Sequence, residues 1–142
     1  MQLTQFTDYS LRALIYIALK KDICTIKDIT EAYSISGNHM IKIIHNLSKM
    51  GLIKTIRGKN GGIILAANPQ EINLGSLIVN LESNFDLVPC FNKDKANCCI
   101  APVCKLKNIL YEARNAFMSV LNQYTLADIV YNKSELNVLL NI

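Results

Sequence analysis

A chain of 142 residues with 51% hydrophobic content can bury one core and carry an appended element, but it is too short for two full domains. No apolar run approaches the roughly 20 residues that cross a bilayer, which excludes a helical membrane protein. The net charge of +4 permits a nucleic-acid partner without specifying one, so the positions of the charges matter more than their sum.

The first predicted helix runs from about Leu3 to Lys20, with Leu11, Leu14, Ile15 and Ala18 spaced as one buried face. Asp8 lies in its first turn, where the helix dipole favours an acid, and by itself it reads as a surface residue. Thr25-Ile26-Lys27-Asp28 has the form of a capping box and opens a short second helix with Ile26, Ile29 and Tyr33 on one face. Ser34-Ile35-Ser36-Gly37 interrupts the pattern, and a third helix follows from about Asn38 to Met50. It divides cleanly into an apolar face of Met40, Ile43, Ile44, Leu47 and Met50 and a polar face of Asn38, Lys42, His45 and Lys49. Helix, tight turn and helix is the arrangement in which the second helix enters the major groove, which puts Ser36, Asn38, His39 and Lys42 at base edges and lets Lys42 and Lys49 neutralise phosphates.

A polar helical face is by itself generic, and the next segment adds weight. Leu52-Ile53-Lys54-Thr55-Ile56-Arg57 and Ile63-Ile64-Leu65-Ala66 are rich in β-branched residues and flank Gly58-Lys59-Asn60-Gly61-Gly62, the pattern of a hairpin. This predicts a β-wing whose tip presents Arg57, Lys59 and Asn60 to phosphates or to the minor groove. A nucleotide-binding phosphate loop is the weaker reading, because the glycines lead into a strand pattern and the Walker spacing is absent. Asn68-Pro69 closes the wing, and a short helix from about Leu74 to Leu81 completes this part of the chain.

Four of the five cysteines then fall within Cys90-Phe91-Asn92-Lys93-Asp94-Lys95-Ala96-Asn97-Cys98-Cys99-Ile100-Ala101-Pro102-Val103-Cys104. Free cysteine is usually a core residue, and a run so rich in Asn and Lys is no core segment, so the stretch reads as a metal or cluster loop. Soft thiolates select zinc, copper(I) or iron–sulfur clusters. The spacings are C-x7-C and C-x5-C through Cys98, or C-x8-C and C-x4-C through Cys99, with no C-x2-C knuckle of a structural zinc site and no C-x-x-C of a thiol oxidoreductase. Three ligands leave one position for another group, and an enzyme is not expected. The residues after Met1 form no basic-then-apolar leader, so a reducing cytoplasmic setting is expected and disulfides are disfavoured.

The longest predicted helix runs from Lys105 to about Gln123, with Leu106, Ile109, Leu110, Ala113, Phe117, Val120 and Leu121 on one stripe. Such a stripe following an exposed loop points to pairing with a second copy, and a symmetric dimer suits two DNA half-sites. Thr125-Leu126-Ala127-Asp128 is a second capping box, and the apolar tail with Leu136, Val138, Leu139, Leu140 and Ile142 is expected to dock at a place the pattern leaves open.

Four segments, Met1-Gln2-Leu3-Thr4-Gln5-Phe6-Thr7-Asp8-Tyr9-Ser10-Leu11-Arg12-Ala13-Leu14, Asn38-His39-Met40-Ile41-Lys42-Ile43-Ile44, Arg57-Gly58-Lys59-Asn60-Gly61-Gly62-Ile63 and Tyr124-Thr125-Leu126-Ala127-Asp128, together with the cysteine spacing, give the chain its family likeness. From Met1 to about Val130 it resembles the NsrR family of nitric-oxide-sensitive iron–sulfur repressors, within the wider group of winged-helix cluster-binding regulators that includes IscR. The resemblance implies that Cys90, Cys98 and Cys104 hold an iron–sulfur cluster, 4Fe-4S or 2Fe-2S, with Asp8 of the partner subunit as fourth ligand. Cys99 departs from the relatives, where histidine is one alternative, and it stands as an alternative ligand or a free thiol. The implied protein is a homodimeric, cytoplasmic repressor that binds double-stranded operator DNA and releases it when nitric oxide nitrosylates the cluster.

The expected fold is therefore mainly α with a small β-wing: a winged helix-turn-helix over residues 1–82, a cluster-binding loop over 83–104, and a dimerisation helix with a C-terminal tail over 105–142. Two other functions compete. One is an iron–sulfur-status regulator like IscR, and the other is a zinc-stabilised interaction module without DNA binding.

Overall fold

The computed structural model describes residues 2–92, 94 and 97–142; Met1 of the opening motif and Lys93, Lys95 and Ala96 of the cysteine loop lie outside the described residues. In chain order the elements are α1 (Gln5–Lys20), α2 (Ile26–Tyr33), α3 (Gly37–Lys49), strands β1 (Ile53–Ile56) and β2 (Gly62–Leu65), α4 (Leu74–Leu81), α5 (Lys105–Leu121), α6 (Leu126–Ile129) and α7 (Lys133–Leu140), with 3-10 turns at Pro69–Glu71, Pro89–Phe91 and Ala101–Val103. The mainly helical architecture with one antiparallel wing matches the sequence reading.

Local chemistry sets the boundaries. The Thr4 hydroxyl accepts the Thr7 N–H and starts α1 at Gln5, two residues later than the periodicity suggests. The capping box at α2 is formed in both directions: Asp28 N–H donates to the Thr25 hydroxyl at 3.2 Å, and Thr25 N–H donates to the Asp28 carboxylate at 2.7 Å. Ser34 closes α2 in the left-handed region at φ 54°, and Ile35 then plugs into the core. Gly37 belongs to α3 and not to the turn before it, because Ser36 is the residue with extended backbone at the helix entry. In the wing, β1 and β2 pair from Ile53 opposite Leu65 to Ile56 opposite Gly62, and Gly58 supplies the φ of +112° that the tip needs.

The core is centred on Leu14, Ile17, Ile29, Met40, Ile43, Leu47, Ile53 and Leu126, all essentially without solvent exposure. Burying a side chain of this size is worth about 1.5–3 kcal/mol, so this layer holds the helix-turn-helix rigid beneath its polar surface. The buried face of α1 is rotated from the expected one. Thr7, Ser10, Ala13, Leu14, Tyr16, Ile17 and Leu19 are buried, while Leu11, Ile15 and Ala18 are only half-buried. Thr7 and Ser10 enter the interior because they are satisfied locally: Ser10 donates to the Phe6 carbonyl at 2.6 Å, and Thr7 accepts from the Thr4 hydroxyl at 3.1 Å.

Cys24 is the fifth cysteine and a core residue. Lying outside both strands itself, it forms a β-bridge with Ile63 of β2, and its thiol lies 3.6 Å from the Ile63 carbonyl oxygen. The C-terminal tail docks on α1 through α7, with Leu136, Leu140 and Ile142 against the core and Val138 and Leu139 facing outward.

Candidate nucleic-acid interface and cysteine loop

The two faces of α3 are divided as the sequence indicates. Met40, Ile43, Ile44 and Leu47 are buried and Met50 is half-buried, so Asn38, Lys42, His45 and Lys49 are forced to the outside. Ser36 and His39 are also exposed. Arg57, Lys59 and Asn60 are all exposed at the tip of the wing. The result is a polar, cationic surface carried on two rigid elements, with no acidic residue in α3 to oppose a phosphate backbone.

The four loop cysteines are unpaired. Cys90 and Cys104 are half-buried at the two ends of the loop, whereas Cys98 and Cys99 are exposed. Each base has a visible anchor. At one end, Phe91 packs edge-on against Tyr111 of α5 with centroids 5.8 Å apart, and the Arg114 guanidinium lies 5.1 Å from Phe91 and 4.4 Å from Tyr111. At the other end, Cys104 is the N-cap of α5, and its sulfur accepts the Lys107 N–H at 3.4 Å. The first turn of a helix favours negative charge, a setting suited to a metal-bound thiolate. Among the described residues of one chain, no three His, Cys, Asp or Glu side chains converge as a metal-holding group. The donor chemistry nevertheless fits a cluster: soft, unpaired thiols on a polar loop, with both ends tethered and Cys98 and Cys99 exposed.

Asp8 sits one turn before Arg12 and is held by it, with an Arg12 Nη2–Oδ2 distance of 2.9 Å and an Nε–Oδ1 distance of 3.1 Å. Both side chains are roughly two-fifths exposed, at 42% for Asp8 and 43% for Arg12. The hydrogen bond from Arg12 to Asp8 raises the arginine further above its ordinary value, so it stays charged at every working pH. An exposed pair of this kind is worth at most about 1 kcal/mol, so the carboxylate is restrained but releasable. Burial pushes the Tyr33 hydroxyl up as well, and it pushes the Cys24 thiol up to about 11, which keeps that cysteine protonated and apart from the loop thiols.

The long helix α5 has no buried residue at all. Leu106, Ile109 and Val120 of its predicted stripe are each more than half exposed in the single chain. Asn73 clips the end of this helix to the winged helix: its amide donates to the carbonyls of Asn122 at 2.7 Å and Tyr124 at 3.3 Å while its oxygen caps α4 at Ser76. Gly75 allows the approach, since a methyl group there would run into the Asn122 side chain. A cleft of about 610 Å³ opens between the start of α1 at Gln2 and Leu3, the Glu82–Leu87 segment, and Ala113, Arg114 and Phe117 of α5. Arg12, Asn73, Phe91, Tyr111 and Arg114 carry these arrangements and were not marked by the sequence reading. Two of them had a readable signal: Arg12 in its spacing of one helical turn from Asp8, and Asn73 as a capping residue directly ahead of the predicted α4.

A family model described as "Rrf2: Iron-dependent Transcriptional regulator" matches residues 3–132. The HTH-type transcriptional regulator NsrR of Shouchella clausii is 49% identical over 142 residues, covering 99% of this chain and 95% of that protein. The protein of the same name in Bacillus subtilis is 46% identical over 144 residues, covering 100% of this chain and 99% of its own length. Among solved structures, T. potens IscR superposes with a TM-score of 0.72 at 26% identity, over 93% of this chain and 88% of that one. CymR, the global cysteine regulator of B. subtilis, superposes with a TM-score of 0.73 at 24% identity, over 93% of this chain and 98% of that one, which bears on the fold alone. No helix among the described residues is long and apolar enough to cross a membrane.

Proposed function

The chain belongs to the Rrf2 family of transcriptional regulators, and from that membership we propose that it is a homodimeric, cytoplasmic repressor whose hold on operator DNA depends on an iron–sulfur cluster that senses nitric oxide. As a DNA-binding regulator of this family it is not an enzyme. The observation that carries the sensor reading is the loop itself: four unpaired cysteines tethered between a winged helix and a helix with no buried residue.

In this reading Asn38 and His39 meet base edges, Ser36 lies beside them, and Lys42, Lys49, Arg57, Lys59 and Asn60 contact the phosphate backbone or the minor groove. Cys90, Cys98 and Cys104 hold the cluster, and Asp8 of the partner subunit completes the ligand set, with Cys99 as the alternative donor. When bound, the cluster supplies iron that reacts with nitric oxide. The residues do the rest. The apolar stripe of α5 pairs with its copy and fixes the separation of the two α3 helices. Asp8, held only weakly by Arg12, would be free to serve as a donor to the partner's cluster, which would tie the DNA-binding part of one protomer to the loop of the other. Changing operator occupancy a hundredfold requires about 2.7 kcal/mol, within the usual range of coupling between two sites.

Substitution of the donors tests the assignment. Cys90→Ala, Cys98→Ala and Cys104→Ala are each expected to abolish bound iron and visible absorbance, and Asp8→Ala to keep iron while altering the spectrum and weakening DNA binding. Cys99→Ala is expected to leave both intact. Retention of a normal cluster in Cys98→Ala with its loss in Cys99→Ala would exchange their roles, and one tight zinc per chain without colour would replace the sensor by a zinc-stabilised module.

A further inference from the structure

Asp8 and His39 lie on different helices, the first in the opening turn of α1 and the second at the exposed start of α3. Two side chains stand between them. Arg12 grips both oxygens of Asp8, and its guanidinium carbon lies 5.9 Å from the centre of the Tyr9 ring and 5.8 Å from that of Tyr33 on α2. The Tyr9 ring in turn faces the His39 imidazole, with centroids 6.4 Å apart and planes tilted by 39°. Tyr9 and His39 also line, with Gln5, Phe6, Lys42 and Ile43, a cleft of about 210 Å³ between α1 and α3.

We propose that Tyr9 is a positioning residue that passes the state of the Asp8 carboxylate, received through Arg12, to His39 at the DNA-facing start of α3. The purpose of this relay rests on the reading of Asp8 as a cluster ligand, but its operation does not. When Asp8 lets go, Arg12 keeps its charge, and the nearest surfaces that attract it are the faces of Tyr9 and Tyr33. The two rings are not equally free to respond. Tyr33 is braced edge-on against the buried Tyr16, with centroids 6.5 Å apart, whereas Tyr9 borders the open cleft and has room to tilt. A tilt of Tyr9 changes the support under His39 and, beside it, Lys42. The recognition helix thereby receives a local signal in addition to any rigid-body change between the two protomers.

The chain contains two histidines, His39 and His45, and both lie on α3. Histidine-labelled, cluster-free protein therefore gives two imidazole signals by NMR, with His45 as the internal control. Asp8→Asn removes the charge that holds Arg12 while preserving the size of the side chain. The relay predicts that Asp8→Asn moves the His39 signal and leaves that of His45 in place. In the Tyr9→Leu variant the same Asp8 change is expected to leave both signals where they were, and in Tyr9→Phe, which keeps the ring, the response is expected to return. Circular dichroism and unfolding midpoints of each variant identify any that has lost its fold. A His39 signal that ignores Asp8→Asn, or that responds equally in Tyr9→Leu, overturns the relay. Cluster-loaded samples separate the relay from the sensor: the relay predicts that Tyr9→Leu removes a cluster-dependent change in DNA affinity of about tenfold or more while the visible spectrum stays unchanged. Wild-type protein whose DNA affinity ignores the cluster overturns the sensor reading, and the histidine signals still decide the contact.

Discussion

Helices α3 and α5 carry the same kind of amphipathic pattern and meet opposite fates. The apolar face of α3 disappears into the chain's own core, with Met40 and Leu47 at zero exposure. The apolar face of α5 stays open, with Leu106 at 62% and Val120 at 54%. Periodicity reports that a helix has a face to bury but not where the covering surface comes from. Here the α3 half covers its own apolar face and turns polar residues outward, whereas the α5 half leaves its apolar face uncovered within the single chain.

That contrast makes graded predictions. Met40→Ala is expected to destabilise the chain by about 2–5 kcal/mol in denaturant unfolding, because it empties a fully enclosed site. Ile109→Ala, on the open face, is expected to change single-chain stability by no more than about 0.5 kcal/mol and instead to weaken self-association in sedimentation equilibrium. Equal destabilisation by the two would erase the distinction.

The cysteines provide the next contrast. With the Cys24 thiol raised from 9.0 to about 11, its thiolate fraction at neutral pH lies about a hundredfold below that of an ordinary thiol, before steric protection. Iodoacetamide on the native, metal-free protein should therefore modify Cys90, Cys98, Cys99 and Cys104 and spare Cys24, as read by peptide mass spectrometry. The raised value also sets a sign for pH dependence. The contribution of Cys24 to stability is fully present below about 9 and is lost as the pH rises toward 11, so alkaline unfolding should be milder in Cys24→Ala measured relative to its own stability at pH 7.

At the joint between the two regions, Asn73→Ala removes a helix cap and two bonds to the end of α5, with an expected cost of about 1–2 kcal/mol. Its hydrogen-exchange signature should appear in both α4 and the end of α5. The smallest effect belongs to Lys27→Ala, which breaks a largely exposed pair with Glu31 at 3.6 Å and should cost less than about 0.5 kcal/mol.

The parts legible in the sequence are those written in local chemistry. The capping boxes at Thr25 and Thr125 form as their residues dictate, α4 spans Leu74–Leu81 as its pattern indicates, and the split faces of α3 follow from spacing alone. The wing follows from β-branched runs around a glycine-rich turn. What escaped depends on partners distant in sequence. Thr7 and Ser10 join the buried face of α1 while Leu11, Ile15 and Ala18 are only half-buried, because neighbouring hydroxyl and carbonyl groups satisfy the two polar side chains. The pairing of Cys24 with Ile63, the docking of the tail and the tethering of Phe91 to Tyr111 and Arg114 have no local signal. In the candidate site, the surface of α3 and the wing could be read residue by residue. Convergence of the cysteines could not, since spacing in a loop fixes reach and not position.

The central claim is that the exposed loop and the polar face of α3 form one device, and anaerobic titration of the purified protein with nitric oxide tests it most directly. Iron and sulfide are assayed per chain, and visible absorbance and binding to a selected DNA site are followed together. The account predicts a coloured protein whose cluster band and DNA affinity fall in step. A cluster that reacts while DNA binding holds would contradict it.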